Sequence, residues 1–376
     1  MLKVAIVGCG KIADAHVTQI QNIPGCTIVG VCDYEPLMAQ QLYERFPIKA
    51  FFSNLETMLE EAEPDVVHIT TPPESHYMVA RTCLEHGSHV YIEKPFTVFA
   101  HEAQELFAIA ETMQRLVTVG HNLQFSHVAR RLRSVVDSGY LGGTPLHMES
   151  YYCYDLGDPS YARALLGDKR HWVRRLPGKL LQNIISHGIA RISEFLVTDE
   201  PQVIAHGFVS SLLQSIGETD IVDELRVIIQ DNQTTAYFTF SSQMRPCMHE
   251  FRIYGSKNGL ILDQDHEVLL KLRGKKFKSY ADMFVPPVLF AKQHLGNAAS
   301  NARLFLKRDF QMDAGMRFLI TSFYDAICDK GPIPIPYSEI LRTSKIMDSI
   351  FEQIARSLDK SSAVGAEPTG SAAVAR

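Results

Sequence analysis

The sequence predicts a two-domain α/β protein. An N-terminal doubly wound parallel Rossmann sheet is followed by a mostly antiparallel open sheet with helices on one face. Three observations predict it. Strand and helix signals alternate from Leu2 to Gly120. A glycine-rich turn joins the first strand to the first helix. Beyond Asn122, strand-like runs follow one another through short turns.

The elements follow in order. Lys3–Gly8 is a continuous apolar run ending in glycines, and Ile12–Ile23 carries helical spacing. Thr27–Cys32 is β-branched and leads to a helical pattern over Leu37–Phe46. Asp65–Thr70, Val90–Glu93 and Val117–Gly120 are further apolar runs, separated by helices at His76–His86 and His101–Met113. Runs apolar throughout suit strands buried on both faces. Val128–Ser138 then reads as a helix, Leu146–Tyr154 as a strand and Leu180–Leu196 as one amphipathic helix. Strand-like runs at Val203–Ser210, Ile221–Gln230, Thr234–Ser241, Glu250–Tyr254, Gly259–Leu262 and Val268–Leu272 are punctuated by turns such as Lys257-Asn258-Gly259. Phe310–Asp329 and Ser338–Leu358 close the chain as helices. Residues 1–122 are thus expected to bind a dinucleotide. Residues 123–360 are expected to hold substrate and mediate oligomerisation, with the final helices free to pack back on the first domain. The stretch 361–376 reads as a disordered tail.

Composition narrows the function classes. Of 376 residues, 46% are hydrophobic and 21% charged, with net charge -5, which suits two globular cores and argues against nucleic-acid binding. The start Met1-Leu2-Lys3-Val4 runs straight into glycines and does not read as a signal peptide, and no apolar stretch is long enough to span a bilayer. Seven scattered cysteines, none in a Cys-x-x-Cys pair, point to a reducing, cytoplasmic compartment and to no zinc site; no metal is expected.

Gly8-Cys9-Gly10-Lys11-Ile12-Ala13 is a G-x-G-x-x-A turn between strand and helix. Gly8 permits the tight turn, Gly10 lets backbone approach a pyrophosphate at the helix N-terminus, and Ala13 allows close helix–strand packing. Asp33 ends the second strand, where a carboxylate accepts from ribose hydroxyls and repels a 2′-phosphate. Tyr34 and Glu35 follow it, so NAD is favoured over NADP.

Thr70-Thr71-Pro72-Pro73-Glu74-Ser75-His76 after one strand, Glu93-Lys94-Pro95 after the next, His121-Asn122 after a third, and then Trp172-Val173-Arg174-Arg175, Pro177-Gly178-Lys179, Asn183 and His187 together resemble the Gfo/Idh/MocA family of oxidoreductases. The resemblance implies that Thr71, Pro72, His76, Glu93, Lys94 and Asn122 border the cofactor. It also implies that Lys94–Pro95 is cis, that His187 is catalytic with Lys94 and Asn183, and that the protein is a homodimer or homotetramer. An asparagine at 183, where many members carry aspartate, can only hydrogen-bond; nucleotide-sugar branches share it. Lys179 and Gln124 depart from the usual glycine and arginine and should reshape the pocket.

The residues support the same chemistry. Hydride transfer at a carbinol carbon needs a proton acceptor and a donor to the developing alkoxide. Lys94, at the carboxyl end of a parallel strand, can supply the second; otherwise it is a loop lysine. His187 titrates near neutrality and is the candidate acid/base; otherwise it is a satisfied core histidine. Gln124, Tyr152, Trp172 and Arg175 are candidate substrate contacts, although Tyr151, Tyr152 and Tyr154 are equally ordinary sheet residues.

The expected activity is an NAD-dependent dehydrogenase acting on a sugar, nucleotide sugar or polyol. The alternatives are a same-fold enzyme that holds NAD and uses it transiently, in epimerisation, elimination or hydrolysis, and a non-catalytic NAD-sensing regulator. One segment stands apart. Met283-Phe284-Val285-Pro286-Pro287 leads into an apolar helical run, Val288–Leu306, in which Phe290, Leu295, Ala298, Ala302 and Phe305 are expected to form one stripe. It is expected to pack on the second sheet or across a subunit interface. The alternative is peripheral contact, through 283–308, with a membrane surface or a partner enzyme.

Overall fold

The computed structural model describes residues 1–156, 166–310 and 314–364. Six parallel strands form the first sheet: β1 (Leu2–Val7), β2 (Cys26–Cys32), β3 (Phe51–Phe52), β4 (Val66–Ile69), β5 (His89–Ile92) and β6 (Val117–Val119). Their order is β3-β2-β1-β4-β5-β6, so the strand order, though not the strand direction, reverses between β1 and β4. Helices α1 (Lys11–Gln21), α2 (Pro36–Arg45), α3 (Leu55–Ala62), α4 (His76–Glu85) and α5 (Ala100–Thr112) cover its faces. Residues of β1, β4 and β5 are almost wholly buried, which is why they read as unbroken apolar runs. The two-residue β3 and the helix α3 have no counterpart in the predicted pattern. Phe51 is exposed at the sheet edge, and a strand that short carries no period.

The second sheet contains β7 (His147–Cys153), β8 (Gln202–Phe208), β9 (Glu224–Asp231), β10 (Thr234–Ser241), β11 (His249–Tyr254), β12 (Asn258–Asp263) and β13 (Val268–Arg273), in the order β13-β12-β11-β7-β10-β9-β8. All neighbours are antiparallel except β7 and β10. Helix α6 (His127–Asp137) leads into it. The predicted single helix over 180–196 is two: α7 (Lys179–Ile184) and α8 (Ser186–Ser193), with the break at Ile185. Gly188 explains how α8 sits so close to the sheet. A Cβ there would lie 2.4 Å from the buried Phe238 ring, and the Ser150 hydroxyl donates to the Gly188 carbonyl at 3.1 Å. The short helix α9 (Ser211–Ser215) and the long α10 (Ala281–Leu306) follow.

Two apolar cores result. Met316, Leu319, Ile320 and Phe323 of α11 (Ala314–Ile327) join the first. Ile346, Met347, Ile350 and Phe351 of α12 (Tyr337–Val364) join the second. Ile340 of the same helix lies in the first core, so α12 ties the sheets together. The predicted tail begins inside α12, which runs to Val364; 365–376 and 311–313 lie outside the described residues. Among the described residues no helix is long and apolar enough to cross a membrane.

Candidate active site

At the amino end of α1, Gly8 has φ +94° and no room for a side chain: a Cβ would meet the Thr71 nitrogen at 2.6 Å. Gly10 is the N-cap of α1, without a side-chain cap, and open space surrounds the place a Cβ would take. Helix amides there face a cradle fit for a pyrophosphate. Lys11 and Ile12 are exposed beside it. The Asp33 carboxylate accepts from the Cys9 amide at 2.7 Å and from the Glu35 amide at 3.0 Å, which fixes it at the end of β2. One lone pair on each oxygen remains for ribose hydroxyls. Tyr34 beside it is 90% exposed, and no guanidinium pairs with Asp33 among the described residues. These residues fit a dinucleotide without a 2′-phosphate.

The turns after β4 and β5 are braced against each other. His76 is buried, with Nδ1 2.9 Å from the Pro95 carbonyl and Nε2 2.9 Å from the Thr71 carbonyl. Both ring nitrogens are engaged, so His76 holds the turns instead of reaching into the cleft. The Ser75 hydroxyl donates to Thr71 Oγ1 at 2.7 Å, beside Pro72.

Lys94–Pro95 is cis. The Lys94 ammonium is half-buried and donates to the Asn183 carbonyl at 3.0 Å, which links β5 to α7. Burial pushes its pKa down, partly offset by Glu93. Lys94 is therefore not a plain surface lysine. Glu93 is buried. Its Oε1 lies 3.0 Å from His16 Nε2, and its Oε2 accepts from the Lys94 amide at 3.1 Å. His16 Nδ1 in turn lies 2.8 Å from His68 Nδ1, and His68 Nε2 lies 2.7 Å from the Tyr324 hydroxyl. Burial works against the Glu93 charge, but His16 and Lys94 hold its carboxyl below the usual range. Glu93 thus stands under the lysine, at the head of a buried polar chain.

His187, one residue into α8, stacks on Tyr152 at 6.2 Å and meets His121 edge-on at 5.8 Å. Burial, then the Lys94 charge, push its pKa well below the ordinary value. His121 is pushed down to about 3, mainly by burial. Three polar atoms of this region are buried with no partner among the described residues: His187 Nδ1, His121 Nε2 and Ser186 Oγ. His121 and Ser186 line one narrow space with Pro95, and His187 lines another with Tyr152, Arg191 and His249. An unsatisfied nitrogen costs about 1–3 kcal/mol, so His187 is not a satisfied core histidine.

The other predicted contacts have the following partners. Gln124 is buried, and its amide donates to Glu339 at 2.8 Å and Glu194 at 3.1 Å. It therefore belongs to a polar node between the sheets, drawn there by two carboxylates. Arg175 is exposed and bidentate to Glu74, at 2.7 and 2.6 Å, which bridges the second domain to the turn after β4. Trp172 is half-buried and stacks on His171 at 5.6 Å. Asn122 lines a neighbouring cavity of about 310 Å³ with Leu123, Gln264 and Asp265. The Tyr151 hydroxyl donates to Glu149 at 3.2 Å, whereas the Tyr152 ring stacks on His187. His121, Ser186, Arg191 and His249 were not among the predicted site residues. His121 belongs to the His121-Asn122 motif, and nothing in its spacing separates it from Asn122. Among the described residues no metal-ligating cluster converges.

A Rossmann sheet with an open glycine cradle is thus set against a second sheet, whose helix α8 carries an imidazole that feels the Lys94 charge. Residues 2–121 match the model of the oxidoreductase family with an NAD-binding Rossmann fold. The chain is 26% identical over 245 residues to 1-carboxy-3-chloro-3,4-dihydroxycyclo hexa-1,5-diene dehydrogenase of Comamonas testosteroni, covering 64% of this chain and 58% of that protein. It is 31% identical over 142 residues to D-glucoside 3-dehydrogenase of Escherichia coli (strain K12), covering 38% of this chain and 40% of that one. The matches thus span about half the length of these relatives. Among solved structures, the WlbA dehydrogenase from Bordetella pertussis in complex with NADH and UDP-GlcNAcA superposes with TM-score 0.75 at 14% identity, covering 95% of this chain and 96% of that one. That likeness extends the shared fold over both domains.

Proposed function

We propose that the chain is an NAD-dependent dehydrogenase transferring a hydride between nicotinamide and a carbinol or keto carbon of a sugar, nucleotide sugar or polyol. The observation that carries the reading is the set of partnerless buried atoms, His187 Nδ1, His121 Nε2 and Ser186 Oγ: His121 and Ser186 share a space with Pro95, and His121 meets the His187 ring at 5.8 Å. Bound NAD supplies the hydride acceptor or donor. In this reading Lys94 orients the reacting oxygen and steadies its developing charge. His187, kept neutral by its surroundings, accepts the hydroxyl proton at a ring nitrogen or returns it. Asn183 lends its carbonyl to fix the ammonium, and Tyr152 forms one wall for the substrate. The names of the dehydrogenase relatives support a hydroxylated ring as substrate. The seven free cysteines suit a cytoplasmic setting. The outer face of the second sheet, with Ile204, Phe208 and Ile228 exposed, suits a homo-oligomer.

The test is a screen of sugars, polyols and nucleotide sugars for NADH absorbance change. Lys94→Ala and His187→Ala should each lower kcat/KM by about 10²–10⁴-fold. A substrate turned over equally well by both variants would overturn the assignment.

A further inference from the structure

α10 is tied to the free edge of β13 by a row of amide side chains. The Gln293 side chain accepts from the Lys271 amide at 2.7 Å and donates back to its carbonyl at 3.2 Å. Asn297 treats Leu269 in the same way, accepting at 3.3 Å and donating at 3.0 Å, and Asn301 donates to the His266 carbonyl at 2.8 Å. Positions 293, 297 and 301 recur at i, i+4 and i+8, so one helix face completes the strand edge. The opposite face carries Phe284, Val288, Leu295, Phe305 and Leu306, each between 68% and 81% exposed. Exposed Ala298 and Ala302 fill the stripe between them, whereas the predicted member Phe290 is half-buried and lies off it.

Charge is distributed just as unevenly. Residues 268–308 contain nine Lys and Arg against the single acid Asp282, a net of +8. With 37 basic and 42 acidic residues in the whole chain, the remainder holds 28 against 41, a net of -13. Asp282 is turned inward to the Phe277 amide at 2.9 Å. Lys257, Lys271, Arg273, Lys275 and Lys292 line one open trough beside the helix with no acid among them. Among the described residues none of these five pairs with a carboxylate; Lys271 and Arg273 lie over the Tyr140 and Phe277 rings.

We propose that this face is a docking surface for a bilayer rich in anionic phospholipid. The apolar stripe of α10 lies in the interfacial plane, and the trough cations meet lipid phosphates. A second copy is the poorer occupant, because pairing two stripes brings two +8 segments together. The inference does not depend on the reading of the cleft.

The test is flotation of the full chain with vesicles of phosphatidylcholine alone and of equal parts phosphatidylcholine and phosphatidylglycerol. The chain should float only with the anionic vesicles and should be released at about 1 M salt, where the Debye length falls to about 3 Å. Leu295→Asp with Phe305→Asp should weaken the partition at least about tenfold through lost apolar burial. A triple Lys275→Glu, Lys276→Glu, Lys278→Glu variant should weaken it more than about tenfold through lost attraction to the leaflet. NAD binding, read by fluorescence, should be unchanged in both and certifies the fold. Failure to float with anionic vesicles, equal flotation with neutral ones, or wild-type flotation by either folded variant overturns the proposal. Light scattering provides the rival outcome: no flotation, with a particle mass that falls in the Leu295→Asp, Phe305→Asp variant, would make the stripe a seam between copies.

Discussion

Glu339→Gln should stabilise the protein in a pH-dependent way. The Glu339 carboxyl sits among Gln124, Glu194 and Arg133, and burial followed by the Glu194 charge pushes its pKa up to about 7 from 4.5. A folded pKa above the unfolded one means that, between those values, the folded state binds more protons than the unfolded state. Stability then falls as pH rises through that window. Below about pH 4.5 both states are protonated and nothing is lost. Above about pH 7 the full cost is present, about 2.5 units at 1.36 kcal/mol each, or roughly 3 kcal/mol. An amide at 339 keeps an acceptor for Gln124 Nε2 and carries no charge to bury. Urea unfolding of both proteins at pH 5 and pH 8 measures the difference. Glu339→Gln should lie close to wild type at the lower pH and exceed it by about 1–3 kcal/mol at the higher one. A gap that is the same at both pH values would refute the reasoning.

Two further outcomes follow from named contacts. Asp33→Ala should weaken NAD binding far more than NADP binding, measured by fluorescence titration, because the carboxylate that accepts ribose hydroxyls and repels a 2′-phosphate is gone; a wild type already preferring NADP contradicts this. Gly188→Ala should lower thermal stability, since overpacking against Phe238 costs about 1–3 kcal/mol and outweighs a helix gain of about 1 kcal/mol; a raised melting temperature would mean that α8 does not rest on the sheet as described.

Sequence reading did well where one physical constraint acts on contiguous residues. Strands β1, β4 and β5 are buried on both faces, so their positions stand out as apolar runs. The Gly8 turn is legible because positive φ and the approach of Thr71 demand glycine. Lys94 and His187 are candidates on strand-end placement, a family resemblance and the chemistry of their side chains, and the variants proposed above test them. The break at Ile185 was not legible, because α7 and α8 share one continuous apolar pattern along the sequence.

What the sequence determined alone was local: the alternation of strand and helix, the dinucleotide turn, the acid after β2, the pattern of the arm. Side-chain destinations were decided only by tertiary structure. Glu93 turns under the loop because His16 waits there; Gln124 is drawn to Glu194 and Glu339, residues far along the chain; and His121 meets His187 only because two sheets are packed together. Hydrogen bonds and burial act through space between distant segments, and the order of residues along a single chain does not encode those distances directly.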